Sequence, residues 1–227
     1  MSFAFPPAPV IAIPAMSSKP FPVRHIYCVG RNYSTPLAET GDDPAHDQPF
    51  FFMKPALAIL PNEAVMPYPP GTADLYPEVS LVVALNLGGR GIPENQANDY
   101  IFGYAVGLDM TRRDMQMAAK NQGRPWDMSK SFDFSAPLSA ITPEFYAGII
   151  AEGRIELKVN GEVRQSGDVG DMIWTVPKII SDLSKLVELH PGDLLFTGSP
   201  GGVDPVAKGD RLEATVAGLE PLLITIG

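Results

Sequence analysis

Cysteine is almost missing from this chain: Cys28 is the single copy in 227 residues. One thiol argues against an internal disulfide framework and a thiolate zinc site. Its setting in the apolar stretch "HIYCVG" reads as a small core residue rather than a nucleophile. Histidine is nearly as scarce. With only His25, His46 and His190, a three-histidine zinc site or a histidine-based triad is short of parts. His190, beside Pro191 at an expected helix end, reads as structural. Positive charge is also short, 17 Lys and Arg against 26 Asp and Glu for a net charge of −9. That balance argues against a nucleic-acid partner but leaves room for a local cationic pocket for a small acid. No apolar run approaches the length of a membrane span, so no membrane partner is expected. The opening "MSFAFPPAPVIAIPAMSSKP" lacks a basic start and is broken by prolines, unlike a signal peptide. The expected location is the cytoplasm. "GSPGG" and "GGRG" lack the Lys-Ser/Thr ending and the spacing of phosphate and dinucleotide loops.

Glycine and proline, by contrast, are plentiful (21 and 24) and spread along the chain, as expected for many short strands joined by turns. Residues 1–21 read as an N-terminal strand or extension, and 22–227 as the main domain. Residues 34–49, "STPLAETGDDPAHDQP", form a polar, acidic loop between apolar segments, a candidate lid. Apolar strands are expected in "FFFMKPALAI", "YPEVSLVVALNL" and "FGYAVGLDM". Asn160–Gly161 between alternating segments is a type I′ hairpin signal. "TRRDMQMAAKNQG" reads as a helix with a Thr111–Asp114 capping box and a Gly123 stop. "TVPKIISDLSKLVELHPG" reads as an amphipathic helix with a stripe of Ile179, Ile180, Leu183, Leu186 and Val187. The sum is an α+β, strand-dominated fold with a few short helices.

The chemistry-bearing residues gather at strand ends. In "DLYPEVSLVVAL", strand alternation puts Glu78 and Ser80 on one face, about 6.5–7 Å apart. Glu78 reads equally well as a solvated strand end. Asp109 closes "GYAVGLD" at the entry to a helix, where capping is the ordinary role. Arg113 and Gln116, three apart, share a helix face that is either solvated or turned toward a site. Lys54 and Lys130 interrupt apolar surroundings, although most lysines lie on the surface.

Taken together, "YCVGRNY", "FFMKP", "LYPEVSLVVAL", "FGYAVGLDMTRRDMQ", "GRPWDMSKSFDFSAP", "KVNGEVRQSGDVGDMIW" and "PGDLLFTGSPGGV" resemble the fumarylacetoacetate hydrolase family over residues 22–227. The likeness is strongest to its short bacterial acylpyruvate and fumarylpyruvate hydrolases. It implies a mixed β-sandwich roll, usually a homodimer, and a Mg²⁺ or Mn²⁺ site for a small-molecule oxo acid. The resemblance makes Glu78 and Asp109 metal ligands and places Ser80 where the family has a third, carboxylate ligand. Metal binding is thus expected to be weak, or absent if Ser80 abolishes the site. It also implies catalytic roles for Glu39 and Lys130, and substrate contacts from Arg31, Tyr33, Arg113, Gln116, Gly198 and Ser199. Gly198–Ser199 replaces the family's Gly–Thr. Pro36 stands where the lid histidine of a His–Glu pair is expected, and "YP" replaces a histidine pair before Glu78.

Two kinds of chemistry follow from the resemblance. One is hydrolytic carbon–carbon cleavage of a 2,4-dioxo acid such as fumarylpyruvate, with Glu39 acting alone or His46 assisting. The alternative is tautomerisation, decarboxylation or dehydration of a related oxo acid, which needs no activated water. A catalytically silent family member is the third reading.

Overall fold

The computed structural model describes residues 3–17, 19–33 and 48–227. Pro36, Glu39 and His46, and with them most of the expected lid, lie outside the described residues. In chain order the strands begin with β1 (Ala12–Ile13), β2 (Phe21–Pro22), β3 (Ile26–Gly30), β4 (Phe50–Lys54), β5 (Ile59–Pro61) and β6 (Val65–Met66). There follow β7 (Leu75–Tyr76), β8 (Val79–Leu85), β9 (Ile101–Leu108), β10 (Thr111–Arg112), β11 (Ala136–Leu138) and β12 (Thr142–Pro143). The last are β13 (Arg154–Val159), β14 (Glu162–Asp168), β15 (Leu194–Phe196), β16 (Arg211–Val216) and β17 (Leu222–Ile226).

The larger sheet runs β4-β3-β15-β8-β9-β11-β5, with β12 pairing β9. The second runs β14-β13-β16-β17-β6. Both are mixed: β15–β3, β11–β5 and β17–β6 are parallel, and the other neighbours are antiparallel. This is the strand-dominated architecture expected from the sequence.

Strand β8 explains how the layers stack. All seven of its residues are buried, because each face meets a different core. Val79, Leu81, Val83 and Leu85 join Ile155, Leu157, Leu212 and Ile224 of the second sheet in the main core. Val82 and Ala84, one step out of phase, meet a smaller core closed by Ile13, Phe21 and Val23 of the β1–β2 hairpin region. Each such aliphatic side chain contributes about 1.5–3 kcal/mol by leaving water. A strand wrapped on both sides is fixed in register, since a one-residue slip would exchange its faces.

The Asn160–Gly161 hairpin forms with both residues at positive φ (52° and 85°), as a type I′ turn requires. The second long helix spans Val176–Leu186, capped by Thr175 accepting from the Lys178 amide. Ile179, Ile180 and Leu183 are buried as expected, but Leu186 is 67% exposed. The helix ends there, and extended Val187 takes the last place against the core.

The other helix corrects the sequence expectation. It spans Arg113–Asn121 and has no side-chain cap. Thr111 instead pairs with Tyr76 in the β10–β7 ladder and donates its hydroxyl to Glu78 Oε2 (2.9 Å). Asp114 accepts from Thr72 Oγ1 (2.6 Å) and from the Ala73 and Met115 amides (3.1 and 2.8 Å). It thereby ties the helix to the turn before β7. Slight burial works against the Asp114 charge, but these donors hold its pKa below the ordinary aspartate value. A depressed carboxylate stabilises the fold above its unfolded pKa and loses that contribution as pH falls through the folded value. Asp114→Ala is therefore expected to cost about 1 kcal/mol near neutrality. In urea titrations its deficit from wild type should shrink as the pH drops below the ordinary aspartate range. A deficit independent of pH would contradict the assignment.

Candidate active site

The antiparallel β8–β9 ladder brings two carboxylates together. Val79 pairs with Leu108, so Glu78 just before β8 faces Asp109 just after β9, and the Asp109 amide donates to the Glu78 carbonyl (2.9 Å). From the short Asp127–Lys130 helix, Lys130 donates its ammonium to Glu78 Oε2 and to Asp109 Oδ2 (2.6 Å). From the end of β4, Lys54 lies 2.9 Å from Asp109 Oδ1 and donates to the carbonyls of Met110 (3.1 Å) and Lys130. The Lys54 side chain has no exposed surface. It engages Asp109 Oδ1 while Lys130 takes Oδ2, so each oxygen of this buried carboxylate faces an ammonium.

Charge follows from these contacts. Burial works against an ionised Asp109, but the Lys130 and Lys54 ammoniums outweigh it and hold its pKa below the ordinary value. Burial also opposes the charge of Lys130, yet Asp109 and Glu78 raise its pKa above that of a free lysine. For Lys54 burial dominates and the pKa is lowered. Burial likewise pushes the Cys28 thiol upward, which agrees with an inert core residue.

A cleft of ≈ 550 Å³ opens over this floor. Among the expected site residues, Glu78, Ser80, Asp109, Lys130, Arg31, Tyr33, Arg113, Gln116, Gly198 and Ser199 all line it. Ser80 shares the Glu78 face, as strand alternation requires. Arg113 donates to Gln116 Oε1 (2.9 Å) and lies over the Tyr76 ring. Arg31 turns the chain out of β3 with φ 55°, a left-handed conformation unusual for a residue with a side chain. Tyr33 also borders the cleft, and its buried hydroxyl has no hydrogen-bond partner among the described residues. Burial raises its pKa, followed by the charges of Asp171 and Asp168. Phe50, Phe52 and Trp126 form an aromatic wall, with Phe52 and Trp126 edge to face at 5.3 Å.

Two buried amides hold the cleft's loops. Asn32 donates to the carbonyls of Trp174 (2.9 Å) and Thr197 (2.7 Å) and accepts from the Trp174 amide (2.7 Å). Gly198, at φ 101°, packs on Asn32 so closely that a Cβ there would lie 2.8 Å from Asn32 Cβ. Gln165 accepts from the Val79 amide (3.0 Å) and donates to Ser199 Oγ (3.0 Å) and the Pro200 carbonyl (2.7 Å). It thus links the residue next to Glu78 to the Gly198–Ser199 loop.

Sequence reasoning singled out neither amide, nor Lys54 or Lys120 as part of the site. Lys120, which lines the cleft, had a legible signal: it stands four residues beyond Gln116 and seven beyond Arg113 on the same helix face. A single buried amide carries no pattern, because its partners are assembled only by the fold.

Among the described residues no group of three or more His, Cys, Asp or Glu side chains converges as a cation site. What converges is a pair of carboxylates. Asp109 presents Oδ1 to Lys54 and Oδ2 to Lys130, and Glu78 makes its contacts among the described residues through Oε2. Such oxygens suit a hard divalent cation that takes its remaining ligands from water and substrate, so the donor set fits Mg²⁺ or Mn²⁺ with two protein carboxylates.

Comparison with known proteins gives the family and the fold. A family model described as fumarylacetoacetate (FAA) hydrolase, C-terminal, matches residues 25–226. A fumarylpyruvate hydrolase from Ralstonia sp. is 40% identical over 185 residues, 82% of this chain and 96% of that protein. The mitochondrial oxaloacetate tautomerase FAHD1 of Mus musculus is 42% identical over 196 residues, 86% and 88% of the two chains. Among solved structures, fumarylpyruvate hydrolase from Pseudomonas aeruginosa in complex with Mn²⁺ and pyruvate superposes with a TM-score of 0.95. The two are 43% identical, and the match covers 99% of each chain.

Removing the Lys54 ammonium leaves Asp109 with one cationic partner and strands two carbonyls. Lys54→Met is expected to lower stability by about 3 kcal/mol, the scale of a broken buried pair. Chemical denaturation checks this, and an unchanged midpoint would show that the buried ammonium is dispensable.

Proposed function

The chain belongs to the fumarylacetoacetate hydrolase family, and on that footing we propose that it is an acylpyruvate-type hydrolase, cleaving a carbon–carbon bond of a 2,4-dioxo acid such as fumarylpyruvate. The observation that carries this reading is the Lys130 ammonium between Glu78 and Asp109 at the floor of the cleft. It is a buried, fixed positive charge beside two hard oxygen donors. Glu78 and Asp109 would hold the Mg²⁺ or Mn²⁺, with the Ser80 hydroxyl as a neutral neighbour. Bound there, the metal supplies Lewis-acid polarisation of the 2-oxo acid end.

The residues divide the remaining work. Arg113 and Gln116 orient the substrate's 2-oxo carboxylate, and Gly198 and Ser199 close the opposite wall with Arg31 and Tyr33. Water adds to the C4 carbonyl, its proton taken by Glu39. The C3–C4 bond then breaks, its electron pair passing to the pyruvate enolate while the acyl carbon departs as a carboxylate. Lys130 stabilises the enolate oxygen as charge develops. Protonation at C3 completes pyruvate. We place the protein in the cytoplasm as a homodimer.

A second reading, oxo-acid tautomerase, is favoured by the 42% identity to the mouse oxaloacetate tautomerase and by Lys130. Keto–enol exchange moves one proton between C3 and the carbonyl oxygen and needs an enolate stabiliser but no attacking water. Coupling pyruvate formation to lactate dehydrogenase separates the readings. Release of pyruvate from fumarylpyruvate with Mn²⁺, abolished by chelator, supports the hydrolase. Loss of the oxaloacetate enol absorbance without cleavage of fumarylpyruvate supports the tautomerase.

Lys130→Met is expected to lower kcat about 10²–10³-fold, the loss typical of one charge-stabilising donor. An undiminished kcat would remove Lys130 from the mechanism. Ser80→Glu adds an anionic ligand and is expected to tighten Mn²⁺ binding about tenfold or more. Titration of the free-ion EPR signal checks this, and an unchanged affinity would place the metal elsewhere.

A further inference from the structure

The charges of the cleft fall into two sets. At the floor, Glu78 and Asp109 are matched by Lys54 and Lys130, and the four groups balance. Nearer the mouth, the Arg113–Asn121 helix presents Arg113, Gln116 and Lys120 on its cleft-facing side. Arg113 contacts Gln116 and the Tyr76 ring, while Lys120 has the Trp126 ring 5.8 Å away, and among the described residues neither forms an ion pair with a carboxylate. This cationic surplus sits in a chain whose net charge is −9. Partial burial lowers the Lys120 pKa first, and the like charges of Arg113, Arg31 and Lys130 lower it further, against an opposing contribution from Glu78. An anion entering the cleft relieves that repulsion.

Fumarylpyruvate is itself a seven-carbon diacid, and we infer that Lys120 is the specificity-determining residue that receives the distal carboxylate of such a substrate. The inference rests on the oxo-acid reading of the site, with Arg113 and Gln116 holding the first carboxylate. Arg113 and Lys120 stand seven residues apart, about 10 Å along the helix axis at 1.5 Å per residue. An extended chain advances about 1.2 Å per bond, so that distance corresponds to about eight bonds. A seven-carbon diacid has that length from outer oxygen to outer oxygen. Trp126 and Phe52 supply an apolar wall against which the intervening carbons lie.

The test uses two non-cleavable acids differing only at the far end, 2-oxoheptanedioate and 2-oxoheptanoate, titrated calorimetrically with Mn²⁺ in the buffer. The wild type is expected to bind the diacid at least tenfold tighter. Lys120→Met should reduce that ratio to within threefold, and Lys120→Arg should keep it, with circular dichroism confirming the fold of each variant. Equal affinities in the wild type, or a ratio that Lys120→Met leaves intact, would overturn the inference. Failure of the hydrolase reading is seen separately. If the ratio follows Lys120 but fumarylpyruvate is not cleaved, the diacid site stands and the proposed reaction falls. Cleavage with no such ratio has the opposite meaning.

Discussion

One ammonium group organises the floor of this cleft. Lys130 is almost wholly buried and donates to carboxylates from two different strand ends. Taking a lysine out of water is costly unless its charge is met at close range. Here it is met twice, and the geometry around it follows from that requirement. Glu78 must stand opposite Asp109, which the antiparallel β8–β9 ladder ensures. The short helix ending at Lys130 must lie against β4 and β10, and Lys54 anchors it there by donating to the Lys130 carbonyl. In the proposed chemistry the ammonium that neutralises the carboxylates also meets the enolate oxygen, so the stabilising contact and the reaction share one atom.

Much of this was legible in the chain, for reasons that differ by element. Strand β8 declared itself by an unbroken apolar run, and the Glu78–Ser80 face followed from the two-residue period alone. The Asn160–Gly161 turn was legible because its backbone angles suit few other residue pairs. The Thr111–Asp114 capping box was misread because a local pattern competed with distant partners: Glu78 claimed the Thr111 hydroxyl, and Thr72 and Ala73 claimed Asp114. Leu186 fitted the apolar stripe but fell where the helix stops. Lys54 could be noticed as a lysine in apolar company, yet its role depends on Asp109 and on carbonyls more than fifty residues away.

The amides show what a charge-balanced floor demands of its supports. Asn32 and Gln165 each join several backbone groups, and Gln165 reaches from the strand beside Glu78 to the loop of Ser199. A carboxylate at either position would accept from the same backbone amides but could not donate to the carbonyls of Thr197 and Pro200. It would also add an unpaired negative charge next to a set of groups that already cancels. A neutral amide both donates and accepts without touching that balance, so the loops are held by dipoles and the charges are left for the ligand. Among the described residues the Arg113 and Lys120 charges meet no carboxylate, and in the proposed reading an anionic substrate completes them.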